Sequence, residues 1–176
     1  MSTLKAQLYG GIAFFIGAPL LVWPFSQLWN FSLKQIAASG LAPILLFIAA
    51  MFVGIVVHEL IHGLTAMWVG RLPWQKIKFG VQWQSGTPYC HPTVPMPARA
   101  YRIVVIMPLV TLGLVPYGAA LATGNVWLLA FGVFFTLAAF GDIIILWLMR
   151  HLRATELVQD HPTKVGLIIV SPDSTP

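Results

Sequence analysis

The chain has 176 residues, 58% of them hydrophobic and 9% charged, against about 25% charged in an ordinary soluble domain, so lipid rather than a polar shell must cover its exterior. A net charge of +5 does not signal a nucleic-acid partner, because the basic residues gather at the ends of apolar segments, form no stripe and accompany no nucleic-acid motif. The single cysteine, Cys90, excludes an intramolecular disulfide and any multi-cysteine metal site.

Lys5 precedes an apolar stretch from Leu8 to Phe25. That stretch is longer than the roughly 7 to 15 residues of a signal-peptide core and has no A-x-A cleavage site, so it reads as a retained helix. Four segments reach the length needed to cross a bilayer, namely 8–28, 43–69, 102–122 and 125–149. The first carries Pro19 and Pro24 and the third Pro108 and Pro116, so kinks are expected where neighbouring helices satisfy the freed carbonyls.

The resulting expectation is an all-α membrane protein. A four-helix transmembrane domain occupies 1–150, a hairpin-like cytoplasmic loop joins the second and third helices, and a short cytoplasmic tail covers 151–176. With the amino terminus inside, the inner side receives Lys5, Arg71, Lys76, Lys78, Arg99, Arg102, Arg150, Arg153 and Lys164, and the outer side only Lys34. Cytoplasmic loops carry the Lys and Arg excess, so both termini are expected in the cytoplasm.

Between the second and third spans, Ile77, Phe79, Val81 and Trp83 alternate with Lys76, Lys78, Gly80 and Gln82, the period-two pattern of a half-buried strand. Ser85, Gly86, Thr87 and Pro88 read as a turn. The stretch from Tyr89 to Pro97 contains Pro92, Pro95 and Pro97 and reads as an edge strand or extended segment. After His151 the tail is polar, with a short strand expected from Val165 to Val170.

Within the second span stands His58-Glu59-Leu60-Ile61-His62, the H-E-x-x-H pattern. Residues four apart share one helix face, so both imidazoles can reach one ion. Glu59 lies beside that ion, where it can take a proton from the attacking water and pass it to the leaving amine. Zinc suits the site because it accepts nitrogen and oxygen ligands and keeps one position open. The same residues could instead form a hydrogen-bonded structural cluster, but two histidines and a glutamate are costly on a membrane helix, about 2.5 to 3.5 kcal/mol for the acidic residue.

A catalytic zinc needs a third protein ligand, and Asp142 on the fourth span is the candidate. His62 lies nine residues before Arg71 and Asp142 eight before Arg150, which puts each roughly 12 to 14 Å from a cytoplasmic boundary. Asp142 could alternatively pair with an arginine or cap a helix broken at Gly141. His91 is the rival third ligand or a hydrogen-bond donor to the transition state. Cys90 could ligate or block the ion, and Asp160 with His161 reads as a turn before Pro162.

The run from His58 to Gly63, the basic strand-like loop after it and the Gly141-Asp142 pair resemble a bacterial family of small membrane proteins described as zincin peptidases. They are also similar to a reduced version of the site-two protease group. The resemblance extends from about Pro43 to Gly166, where Gln159 to Pro162 also fits. It implies zinc at His58 and His62, catalysis by Glu59 and ligation by Asp142. The Asn and Pro motif usual ahead of the site-two aspartate is missing, since Thr136 to Gly141 stand there. The implied activity is an intramembrane zinc endopeptidase acting on a membrane protein or peptide near the cytoplasmic face, with the bilayer as its other partner. The alternative is a metal-binding scaffold or divalent-ion carrier.

Overall fold

The computed structural model describes residues 3–83, 86–161 and 166–170, excluding the side chains of 3–7, 33, 35 and 37. Ser85 of the expected turn, Pro162, Lys164, Val165 and the Lys5 side chain therefore lie outside the described residues. Four helical stretches are long and apolar enough to cross a membrane: Leu8–Leu28, Leu41–Trp68, Ala98–Thr123 and Val126–His151. Their limits fall within four residues of those expected from composition.

The first stretch belongs to α1 (Thr3–Leu28), with Pro19 and Pro24 inside it. A short α2 (Leu33–Ala38) leads to α3 (Leu41–Trp68). Large apolar side chains on α1 and α3 stand open, Phe15 at 81% and Leu46 at 71%, on helices whose length and composition suit a bilayer.

The third stretch is composite. α4 (Ala98–Pro108) passes through a π-helical turn (Leu109–Leu114) into α5 (Val115–Thr123). Pro108 has no N–H to continue the α-helical ladder, and the wider π turn follows immediately. Gly124, in the left-handed region at φ 70°, ends α5, a conformation that costs a residue without Cβ little.

The fourth stretch starts at Asn125, whose side chain accepts hydrogen bonds from the amides of Trp127 and Leu128 at 2.9 and 3.1 Å, capping two otherwise orphaned donors. It divides into α6 (Val126–Ala138) and α7 (Phe140–Leu148). The break is at Ala139, not at Gly141, and Asp142 sits in the first turn of α7. Helices α5 and α6 meet closely at Gly132, where an added Cβ would stand 2.5 Å from the Tyr117 amide nitrogen. A core of Phe25, Ala120, Leu129 and Val133 fills the space beside this contact.

The alternation at 77–83 yields β1 (Ile77–Gln82), paired antiparallel with β2 (Thr87–Pro92) so that Phe79 faces Cys90 and Lys78 faces His91. Thr87 and Pro88, expected in the turn, are already strand. The short strand expected at 165–170 is present over Leu167–Val170 among the described residues, but within a second sheet that the sequence did not announce. β3 (Met96–Pro97) pairs with β4 (Leu157–Asp160), and β4 with β5 (Leu167–Val170). The stretch read as a polar tail thus folds back onto the start of α4. Val158 is fully buried in a core with Ala66, Ile77, Met96, Tyr101, Val104 and Met149. The cause is long-range: one face of a four-residue strand gains burial only once β3 is in place beside it.

Candidate metal centre

His58 and His62 project from α3 and Asp142 from the start of α7. Nε2 of His58 lies 3.2 Å from Asp142 Oδ2, and Nε2 of His62 lies 3.5 Å from Asp142 Oδ1. The two imidazole rings are 5.0 Å apart at their centroids. Each of the three residues offers one donor atom, and these three atoms fall within 4.8 Å of one another. The break at Ala139 serves this geometry by opening a new helical turn at the point where Asp142 must face α3.

The Asp142 carboxylate is largely covered, and its Oδ2 makes no hydrogen bond although an imidazole nitrogen is 3.2 Å away. A buried carboxylate oxygen left without a partner calls for an explanation, and an ion shared with the two imidazole nitrogens would supply one. Two imidazole nitrogens and one carboxylate oxygen form the donor set of a catalytic zinc with an open fourth position. The residues present therefore fit zinc.

His62 is held from behind. Its Nδ1 lies 2.9 Å from the Val104 carbonyl oxygen. A carbonyl only accepts, so Nδ1 donates to it, and Nε2 is the nitrogen left for an ion shared with Asp142. Val104 is the residue four before Pro108, whose ring nitrogen has no proton to give to that carbonyl. A proline in the third span thus frees the acceptor that orients a ligand on the second.

Glu59 lies on the same turn as His58, within electrostatic reach of both histidines, Asp142 and His91. The β1–β2 hairpin packs against α3 immediately beyond the motif. At Gly63 an added Cβ would stand 2.5 Å from the Phe79 ring and 3.5 Å from Cys90 Sγ, so the absence of a side chain lets the hairpin come this near. Cys90 is turned into that contact, and burial, with the charges of Glu59 and Asp160 adding to it, pushes its thiol up to about 12. Cys90 lies outside the donor cluster, as does His91.

Asp160 is not in a turn. It ends β4, where its carboxylate accepts a hydrogen bond from the Tyr101 hydroxyl through Oδ1 and meets His91 Nδ1 at 2.9 Å through Oδ2. The His91 ring stacks on Tyr89, with centroids 4.6 Å apart. This cluster joins β2, α4 and the distant β4; in the sequence His91 stood out by itself, and Asp160 only through the likeness of Gln159 to Pro162 to the family.

A family model described as "Putative zincin peptidase" matches residues 51–156. The matched region takes in His58, Glu59, His62, His91 and Asp142. No curated protein and no solved structure matches the chain. With more than half of its length under that model, the chain belongs to the zincin peptidase family.

Proposed function

We propose that the chain is an intramembrane zinc metalloendopeptidase, akin to the site-two protease group, that hydrolyses a peptide bond of a membrane-associated substrate near the cytoplasmic side. The observation that carries this reading is the convergence of His58, His62 and Asp142, from two separate helices, on one point with donor atoms within 4.8 Å. Family membership and four helices of membrane-crossing length support it. The charge asymmetry supports cytoplasmic termini and an inner-membrane location.

His58, His62 and Asp142 would hold the ion, and Val104 would fix the His62 tautomer. When bound, zinc supplies a Lewis acid that polarises the scissile carbonyl and makes water acidic enough to attack at neutral pH. Glu59 accepts the proton of the attacking water. It then delivers that proton to the nitrogen of the leaving amine as the C–N bond breaks. The β1 strand offers an edge on which an extended substrate could add; a proline at Val81 should then slow cleavage, and an unchanged rate would remove β1 from substrate binding.

The test is metal content set against cleavage in detergent-purified protein. Wild type should carry one zinc per chain, and Asp142→Ala should lose both zinc and cleavage. Zinc retained at full occupancy by Asp142→Ala would exclude this ligand set. A scaffold or ion carrier would bind zinc and cleave nothing.

A further inference from the structure

Asp142 is held differently from the other two ligands. His58 and His62 share α3, so helical periodicity sets their spacing, whereas Asp142 belongs to α7, a helix of nine residues that begins after the chain turns at Ala139. We propose that Arg102 of α4 is the positioning residue for Asp142: by binding the far end of the Asp142 helix it keeps the carboxylate aimed at the two histidines. This rests on the ligand set given above and names what holds its third member in place. In the sequence Arg102 counted only as one of the inner-side charges.

One nitrogen of the Arg102 guanidinium, Nη2, donates to the carbonyl oxygen of Met149 at 2.7 Å and to that of Leu152 at 2.6 Å. The last carbonyls of a helix lack partners within it, and the helix dipole favours a cation beside them. Met149 is fully buried and follows Asp142 by seven residues, which is two helical turns less about 20°. The clamp therefore acts on the face of the helix that carries Asp142, about 10 Å further along its axis.

The other anchors do not do this. Phe135 fills the notch at Gly54 and stacks beside His58, with ring centroids 6.5 Å apart, but it precedes the turn at Ala139 and so fixes α6. Ile145 and Leu146 pack onto the core beside α4, a contact without direction that lets a helix slide or roll. Hydrogen bonds from a neighbouring helix resist both motions. Zinc bonds to oxygen and nitrogen are about 2.0 to 2.2 Å long, so a slide of about 1 Å would take the carboxylate out of bonding range. Helix α4 then serves both sides of the centre, His62 through the Val104 carbonyl and Asp142 through Arg102.

Arg150 supplies the contrast. Its Nη1 also donates to a carbonyl of α7, that of Trp147 at 2.9 Å, and its guanidinium lies over the Trp147 ring. It belongs to the same helical stretch, however, so it caps that end without tying it to another element. If capping were the whole role of Arg102, the two arginines would matter alike.

Wild type, Arg102→Met, Arg102→Lys, Arg150→Gln, Asp142→Ala and the double variant Arg102→Met/Asp142→Ala are purified as full chains in detergent and stripped of metal. Zinc affinity is read by competition with a chromophoric chelator. Copper(II), which nitrogen and oxygen sites bind more tightly than zinc, is titrated as well, so that the two histidines alone still give a measurable affinity when Asp142 is absent. Arg102→Met should bind zinc about 10- to 100-fold more weakly, as for other groups that orient a ligand; Arg102→Gln serves the same comparison if the methionine variant does not fold. Arg102→Lys should recover much of the loss, because a single nitrogen serves both carbonyls and an ammonium carries several donors on one nitrogen. Arg150→Gln should bind as wild type.

Copper affinity should fall in Arg102→Met, yet the same substitution should change nothing once Asp142 is alanine, since a residue that acts through a ligand has no effect without it. Wild-type zinc affinity in Arg102→Met, an equal loss in Arg150→Gln, or an undiminished copper loss in the Asp142→Ala background would overturn the positioning role and leave the ligand set standing. Wild type that binds no zinc, or Asp142→Ala that binds it as tightly as wild type, would overturn the ligand set itself, and the positioning role with it.

Discussion

Pro108 gives an opportunity to weaken the metal centre without weakening the fold. Replacing it with alanine restores an N–H facing the Val104 carbonyl, the acceptor that His62 Nδ1 now uses at 2.9 Å. A backbone hydrogen bond gained there contributes about 0.5 to 1.5 kcal/mol, and relief of a proline in a helix interior contributes up to about 3 kcal/mol. Against this, the fully buried ring loses two methylenes, which costs about 1.6 kcal/mol at roughly 0.8 kcal/mol each. The fold should therefore be as stable as before, or more so. The ligand, by contrast, loses exclusive use of its orienting partner, a change that typically costs 10- to 100-fold in metal affinity. Competition with a chromophoric zinc chelator reads the affinity, and thermal unfolding of the metal-free protein in the same detergent reads stability. Wild-type zinc affinity in Pro108→Ala would refute the idea that the proline acts through the Val104 carbonyl. Equal losses in affinity and stability would refute it too, because they would mean that the helix had simply been disturbed.

Two further predictions concern packing and the lone thiol. Gly132→Ala should destabilise the protein by about 1 to 3 kcal/mol, the usual cost of overpacking, because the new methyl meets Tyr117 backbone at 2.5 Å and backbone cannot rotate away. Gly118→Ala, in open space on α5, should be neutral or slightly stabilising, and equal melting temperatures for the two variants would contradict the packing described. Cys90 should be alkylated by iodoacetamide roughly a thousandfold more slowly at pH 8 in the native protein than after unfolding, because a thiol pushed up to about 12 holds that much less of the reactive thiolate. Burial raises this acid's pKa, so the native rate should climb about tenfold per pH unit through the alkaline range; a flat profile would show that the thiol is already ionised.

The parts of the site that the sequence exposed are those encoded locally. The H-E-x-x-H spacing places His58 and His62 on one helix face by periodicity alone, and counting residues to Arg71 and Arg150 brought Asp142 to the same depth. The geometry brings these three together. The alternation of Ile77, Phe79 and Val81 likewise announced β1, because period two can be read within a single strand. What stayed hidden depends on pairing across long separations. β4 is four residues long and unremarkable until Val158 is seen opposite Met96. Asp160 looked like part of a turn because its partners, Tyr101 and His91, lie 59 and 69 residues away. The prolines of the third span promised a kink, but which carbonyl Pro108 would free, and which histidine would use it, became clear only when α3 and α4 were placed side by side.

In the proposed mechanism, peptide hydrolysis depends most directly on Glu59, the one residue of the motif that the metal centre would not need as a ligand. The decisive measurement compares cells carrying wild type with cells carrying Glu59→Gln, scoring fragments of membrane proteins together with zinc bound to the purified chain. The expected result is full zinc occupancy in both and fragments only in wild type. The same fragments in the glutamine variant, at wild-type zinc content, would contradict the claim that this centre is a peptidase.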